Sequence, residues 1–399
     1  MKMQLLLGTL VLSAAEFIIC AETTPDAAVT IKTDFPGGNA KITKIEGGTV
    51  VVEPDLRGDN SWFYWYFEAT AKKPGRVTFI TPEMVINFKN GAIGNQGPAM
   101  CTDQGQTWNW AGKDIVKDNT FSHDFQKAGE AVRFAVTIPY LESDLKNFLK
   151  RQADNSHLKQ SVLTKSREGR AVELLQIGEK GTSKKPVLIT ARHHAAETIA
   201  SHVLEGFLEE AISESDEAKE FRTRYVLFAV PFVDKDGVEK GDQGKNRKPH
   251  DHNRDYGENS IYPEVQAIKK LDAEQQFRFA LDFHCPTLVM PDHQVMYFVG
   301  AKHHPAYNTE NVAEFAKCIK QGLPKTAPVG PLNWLRDEND PSPKSSRYFG
   351  FKERMIMAAT LEIPFAPPGK EMDPKRLREY GKVMLKAFVQ TRFLATEGR

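Results

Sequence analysis

His194 and Glu197 stand three apart in His194-Ala195-Ala196-Glu197, after the apolar run 187–190 and at the opening of a helix expected to reach about Ile212. An imidazole and a carboxylate at such a junction can turn toward one cation, which makes them half of a metal site. A pair of this kind is common by itself, and a Glu at a helix start can serve the macrodipole alone. A second apolar run, 279–283, ends directly in His284, placing another imidazole at a strand terminus. Two His and one Glu form a three-ligand set, the number that leaves a fourth position open, whereas structural zinc sites are closed by four Cys or His. The set therefore points to one catalytic Zn2+ per chain.

Hydrolysis at such a centre needs a base for the attacking water and a cation for the oxyanion formed at the carbonyl. Glu362 closes the apolar run 355–361 just before Pro364, a position where a carboxylate is costly to bury without a role or partner. It is the expected base. Arg247, Asn253 and Arg254 lie in a polar, Gly-bearing segment between Gly237 and Gly257, and guanidinium groups there could hold a carboxylate or an oxyanion.

These residues carry a resemblance to the zinc carboxypeptidases of the funnelin group, most of all to the cytosolic carboxypeptidase branch. It rests on Thr190-Ala191-Arg192-His193-His194-Ala195-Ala196-Glu197-Thr198, on 230–238, on Asn253-Arg254, on Asp282-Phe283-His284 and on Thr360-Leu361-Glu362, in order over roughly residues 140–365. The resemblance implies that His194, Glu197 and His284 bind zinc and that Glu362 is the general base and later protonates the leaving amine. It also implies that Asn253 and Arg254 grip the substrate's terminal carboxylate and that Arg247 polarises the scissile carbonyl. Arg247 stands closer to Asn253 than in relatives, so Lys245 and Lys248 are alternatives for that place. Tyr348 is the candidate for the tyrosine that lies over the substrate, with a structural aromatic as its other reading. Asp234-Lys235-Asp236-Gly237 departs from the family's usual Asn-Pro-Asp-Gly, at a turn rather than at the chemistry.

The remaining sequence frames this module. The 53 Lys and Arg against 52 Asp and Glu give no basis for a nucleic-acid partner. Lys2 followed by a largely apolar stretch, 5–19, interrupted by Glu16, is too short for a stable membrane span and resembles a signal peptide cleaved near Ile19-Cys20-Ala21, so a secreted or periplasmic location is expected. Ile19 is too large for the residue before a lipoprotein cysteine. Cleavage would leave Cys101, Cys285 and Cys318, an odd number that builds no stapled scaffold. The dense aromatic run 62–67, with further strand candidates at 77–80 and 132–137, reads as an all-β segment whose tryptophans form core or a stacking surface.

From residue 145 strand candidates at 225–230, 279–283, 295–299 and 356–363 alternate with helices, and Asp373-Pro374 starts a last helix to about Phe393. The expected fold is α/β, a mixed-sheet zinc carboxypeptidase-like domain preceded by a small all-β sandwich. Its divisions are a signal peptide at 1–21, the sandwich at 22–140 and the catalytic domain at 141–399. The expected function is hydrolysis of the C-terminal amide of a peptide, or of a small amide with a free carboxylate. The alternatives are a zinc amidase or deacylase, a peptidoglycan-stem peptidase, and an inert binding protein, which the retention of all three ligands and Glu362 disfavours. Arg336, Lys344 or Arg347, wherever one faces the leaving residue, would favour acidic side chains. His250-Asp251-His252 reads as a solvated loop or a support for Arg254.

Overall fold

The computed structural model describes residues 22–57, 63–82, 92–290, 293–299, 304–330 and 342–394. The expected signal segment, Trp62 and Arg336 lie outside the described residues.

Up to residue 135 the chain forms two sheets. One has the order Glu22–Thr23, Lys41–Glu46, Thr49–Glu53, Gly75–Ile80, Thr120–Phe125, Val116–Lys117; the other has Val29–Lys32, Tyr66–Ala71, Ala131–Ala135, Ala99–Cys101, Asn109–Trp110. The two-residue period of a strand sends Phe67 and Phe134 of the second sheet against Phe79 and Phe121 of the first, with ring centroids 5.3 Å apart for Phe67 and Phe79 and 5.1 Å for Phe79 and Phe134. All four rings are fully buried, as is Trp65, so the described part of the aromatic run, 63–67, is core rather than an exposed stacking surface. Trp110 donates its indole N–H to the Met372 carbonyl at 3.2 Å and so packs the two halves of the chain together.

The second half is built on a seven-stranded mixed sheet in the order Leu158–Lys165, Ala171–Ile177, Tyr225–Val230, Lys185–Ala191, Phe279–His284, Met357–Glu362, Tyr297–Val299. The four strands from Tyr225–Val230 to Met357–Glu362 run parallel, and antiparallel strands close both edges. Tyr225–Val230 and Phe279–His284 are buried along their whole length, and apart from Asp282 and the terminal His284 they are apolar, because helices cover both faces of a parallel sheet. Two of these helices, Thr198–Ala211 and Pro374–Gln390, cross so closely that a Cβ on Gly206 would lie 1.9 Å from the Arg378 carbonyl oxygen, and one on Gly381 would lie 2.0 Å from that of Val203. Only glycine permits that approach. Asp373 caps the last helix through the Lys375 and Arg376 amides, with Pro374 in the first turn, as its sequence predicts.

The helix expected to open at the His-x-x-Glu motif starts only at Thr198. Arg192 explains the delay. It adopts a left-handed backbone (φ 61°), and its fully buried guanidinium donates to the Ala195, Tyr140 and Ser201 oxygens, holding residues 192–197 as a loop. Such a conformation costs a non-glycine residue about 1–3 kcal/mol and persists only where surroundings over-determine it.

Candidate active site

Three parallel strands deliver the candidate residues at their carboxyl ends, where open α/β sheets bind ligands. Lys185–Ala191 leads into His194 and Glu197, Phe279–His284 ends on His284, and Met357–Glu362 ends on Glu362, which pairs in register with His284. The Nδ1 atoms of His194 and His284 face each other at 3.2 Å, and Glu197 spans them, with Oε1 2.7 Å from His194 Nδ1 and Oε2 2.8 Å from His284 Nδ1. All three side chains are buried.

A second cluster shares His284: His193 Nδ1 lies 2.8 Å from Asp282 Oδ1, and His284 Nε2 lies 2.7 Å from Asp282 Oδ2. Its atoms are already satisfied by one another, with Thr190 also donating to Asp282 and Tyr256 on the remaining His193 nitrogen at 2.8 Å. The first cluster instead turns two imidazole nitrogens and a carboxylate at a common point. Asp282 then orients His284 from behind, and Asp251, with Oδ1 3.5 Å from His194 Nε2, stands in the same relation to His194. Carboxylates behind metal-binding imidazoles set ring orientation and basicity.

The charge balance agrees. Burial disfavours charge on Glu197, yet His194 and His284 outweigh it and hold the carboxyl well below its ordinary range. Burial likewise opposes charge on His284, but Asp282 and Glu197 raise its pKa well above the usual value. Glu197, Asp251, Asp282 and Glu362 surround the imidazoles with more negative charge than neutral rings can answer, and Glu362 Oε2 is buried without a hydrogen-bond partner among the described residues. The set fits a bound cation, and three ligands of two His and one Glu suit zinc.

Glu362 itself is pushed upward, by burial first and by Glu197, with His284 and Lys245 pulling the other way. Asn253 accepts from the Ser345 amide at 3.1 Å, and Arg254 Nη1 lies 3.6 Å from Asp251 Oδ1, which brings the Asn-Arg pair to the same end of the sheet as the ligands. Lys344 joins them. Burial, Arg254 and Lys245 hold its ammonium down to about 8, with Asp251 and Glu362 opposing.

Two nominated residues are engaged by other side chains. Arg247 is held by Asp234 (2.6 Å) and Asp242 (2.9 Å), so the Asp234 that replaces the family's usual Asn is the carboxylate that captures it. Lys235, in place of the usual Pro, is fully buried on Glu173 and Glu142 at 2.9 and 3.1 Å. Tyr348 turns its hydroxyl to Asp272 at 3.5 Å and packs on Tyr256, the structural aromatic of the two readings. Arg347 lies over the Phe351 ring. Of the two readings of His250-Asp251-His252 the structure agrees with the support for Arg254, through Asp251, rather than with a solvated loop: Asp251 and His252 are buried, and His252 stacks on Tyr262. Asp251 and Asp282 were missed as supports, although each stands two residues before a nominated residue, and Asp282 shares a strand face with His284. A cavity of about 550 Å³ opens at the other pole of the sheet, around the strand starts Lys185, Tyr225 and Phe279, away from this chemistry.

The fold and cluster define a metal centre of the zinc-peptidase type. Residues 142–364, more than half of the chain, match the zinc carboxypeptidase family, and the chain belongs to it. It is 29% identical over 315 residues to cytosolic carboxypeptidase 2 of Xenopus tropicalis, covering 68% of this chain and 32% of that relative, so it spans about a third of that protein's length. An uncharacterized protein of Zymomonas mobilis is 24% identical over 261 residues, covering 64% of this chain and 67% of its own. Among solved structures, a metallo-carboxypeptidase from Burkholderia cenocepacia superposes with a TM-score of 0.73 at 20% identity, over 90% of this chain and 98% of its own. One from Pseudomonas aeruginosa, in complex with (2-guanidinoethylmercapto)succinic acid, gives 0.73 at 18% identity with the same coverages. The likeness takes in the strand-rich N-terminal half as well as the matched module.

Proposed function

We propose that the chain is an exported zinc metallocarboxypeptidase that hydrolyses the C-terminal amide bond of peptides. The observation that carries this reading is the convergence of His194, Glu197 and His284 beside Glu362 at one end of the sheet. His194 and His284 through Nδ1, and Glu197 through its carboxylate, would hold the zinc, and Asp251 and Asp282 would orient the two rings. Bound there, zinc lowers the pKa of a coordinated water and polarises the carbonyl. Glu362, its carboxyl raised by burial, accepts the proton of the attacking water and returns it to the departing amine nitrogen. Asn253 and Arg254 hold the terminal carboxylate, which limits cleavage to the last residue.

Lys344, beside Arg254 and Lys245, supports a preference for acidic leaving residues. Its cation predominates below about 8 and is lost as pH rises through that value, so the preference should fade in alkaline solution. Export rests on residues 1–21 alone; no helix among the described residues is long and apolar enough to cross a membrane. A mixed peptide library read by mass spectrometry tests the reading. The wild type should remove single C-terminal residues, Glu-ended peptides fastest at pH 7, and Glu362→Gln should slow this by about 10²–10⁴-fold. Zinc binding without peptide trimming would move the assignment to an amidase or cell-wall substrate.

A further inference from the structure

We propose that Lys245, rather than an arginine, is the cation that meets the negative charge developing on the scissile carbonyl oxygen. The inference rests on the carboxypeptidase reading and assigns the one role in it that the nominated residue cannot fill. Arg247 is spent on two carboxylates that are themselves fixed. Asp234 also accepts from the Gly237 amide and caps the helix Lys235–Lys240, and Asp242 also binds Arg57 of the sandwich at 2.6 Å. Withdrawing Arg247 toward a substrate would take a charge partner from each of two buried carboxylates.

Lys245 is positioned from both sides. Gly244 lies so close to the ligand loop that a Cβ would meet the Ala195 nitrogen at 2.4 Å and the His194 carbonyl carbon at 3.1 Å, and its backbone is left-handed (φ 79°). Asn246 is left-handed too (φ 60°), and its amide donates to Asp251 Oδ2 at 3.2 Å, the carboxylate behind His194. Residue 245 is thus pinned between the first ligand's own loop and that ligand's support. The backbone reversal at Asn246 separates Lys245 from Arg247, which goes to Asp234 and Asp242. The Lys245 side chain is half-buried and has no ion pair among the described residues, and its charge bears on both Glu362 and Lys344. A cation on the loop that backs the first ligand, whose charge reaches Glu362 and which has no ion pair among the described residues, is what a developing oxyanion requires.

In the addition step the water oxygen bonds to the carbonyl carbon, the water proton passes to Glu362, and the carbonyl π pair moves onto oxygen, where Lys245 faces it. When that pair returns, the C–N bond breaks and the proton on Glu362 goes to the amine. Lysine acts here as a compact point charge with three donors, so it needs no bidentate geometry.

Zinc-loaded wild type, Lys245→Met, Lys245→Arg and Arg247→Met would be compared in peptide trimming and in binding of a phosphinic peptide, a tetrahedral anion, against the free amino-acid product. Lys245→Met should lower kcat by about 10²–10³-fold with KM changed by less than about threefold, and should lose phosphinic-peptide affinity while zinc content and product binding hold. Lys245→Arg should recover a large part of both losses. Arg247→Met should show its loss in melting temperature and not in phosphinic-peptide affinity. Lys245→Met with unchanged kcat and phosphinic affinity would overturn the proposal. If the wild type trims no peptide, the carboxypeptidase reading fails separately; phosphinic binding then still decides, selective loss in Lys245→Met supporting the site and equal binding overturning it.

Discussion

The sandwich core and the carboxyl end of the mixed sheet are equally buried, and they are opposite kinds of interior. Phe67, Phe79, Phe121 and Phe134 fill the first with apolar contact alone. The second holds His193, His194, Glu197, Asp251, Asp282 and His284 at single-figure exposure, with an oxygen on Glu362 beside them that has no hydrogen-bond partner among the described residues. Burying charge is unfavourable unless it is paired, and the pairing here is complete only when a cation occupies the common point of His194, Glu197 and His284. One interior stabilises the fold, and the other is held in shape by it.

The two are physically joined. Gln243 accepts the Phe63 and Tyr64 amides with Oε1 at 2.9 and 3.0 Å, while its backbone carbonyl accepts the Ala196 amide inside the metal-binding motif at 3.1 Å. Asn39 donates to the Gly241 carbonyl at 2.9 Å, and Arg57 reaches Asp242. The sandwich therefore bears on the loop that carries Lys245 and backs the ligands.

Truncation in the apolar interior should give the larger effect on stability. Phe79→Ala removes a fully buried ring and should cost about 3–5 kcal/mol, seen as a lower melting temperature, with zinc stoichiometry retained in the molecules that remain folded. Loss of zinc without loss of fold would show that the sandwich sets the site's geometry and not only its stability. A smaller effect is expected for Asp282→Asn, which keeps the volume behind His284 and removes the charge. Zinc affinity should fall about 10–100-fold in competition with a chelator, while circular dichroism is unchanged. Unaltered affinity would reduce the Asp282 network to packing.

Much of this was legible in the sequence, for identifiable reasons. The strands of the parallel sheet are largely apolar runs, and site residues at strand ends announce themselves by the polar residue that stops the run, as His284 and Glu362 do. Ion pairing between residues distant in sequence is not announced. Nothing in the spacing shows that Asp234 and Asp242 claim Arg247, since 247 lies 13 residues from 234 and the two meet only after the helix Lys235–Lys240 has turned the chain. Tyr348 left two readings open in the sequence for the same reason: its type suits a substrate-covering residue, and only the fold shows its hydroxyl turned to Asp272. The late start of the helix at Thr198 was hidden because Arg192, read as part of a motif, acts through carbonyls that no periodicity displays.

The most direct test is the zinc content of purified wild type and His284→Gln, measured by plasma mass spectrometry after dialysis against metal-free buffer. The expected result is one zinc per chain in the wild type and a small fraction of that in the variant, with both proteins folded. A wild type that takes up no zinc on reconstitution, or a His284→Gln protein that keeps a full equivalent, would contradict the assignment of the metal to His194, Glu197 and His284.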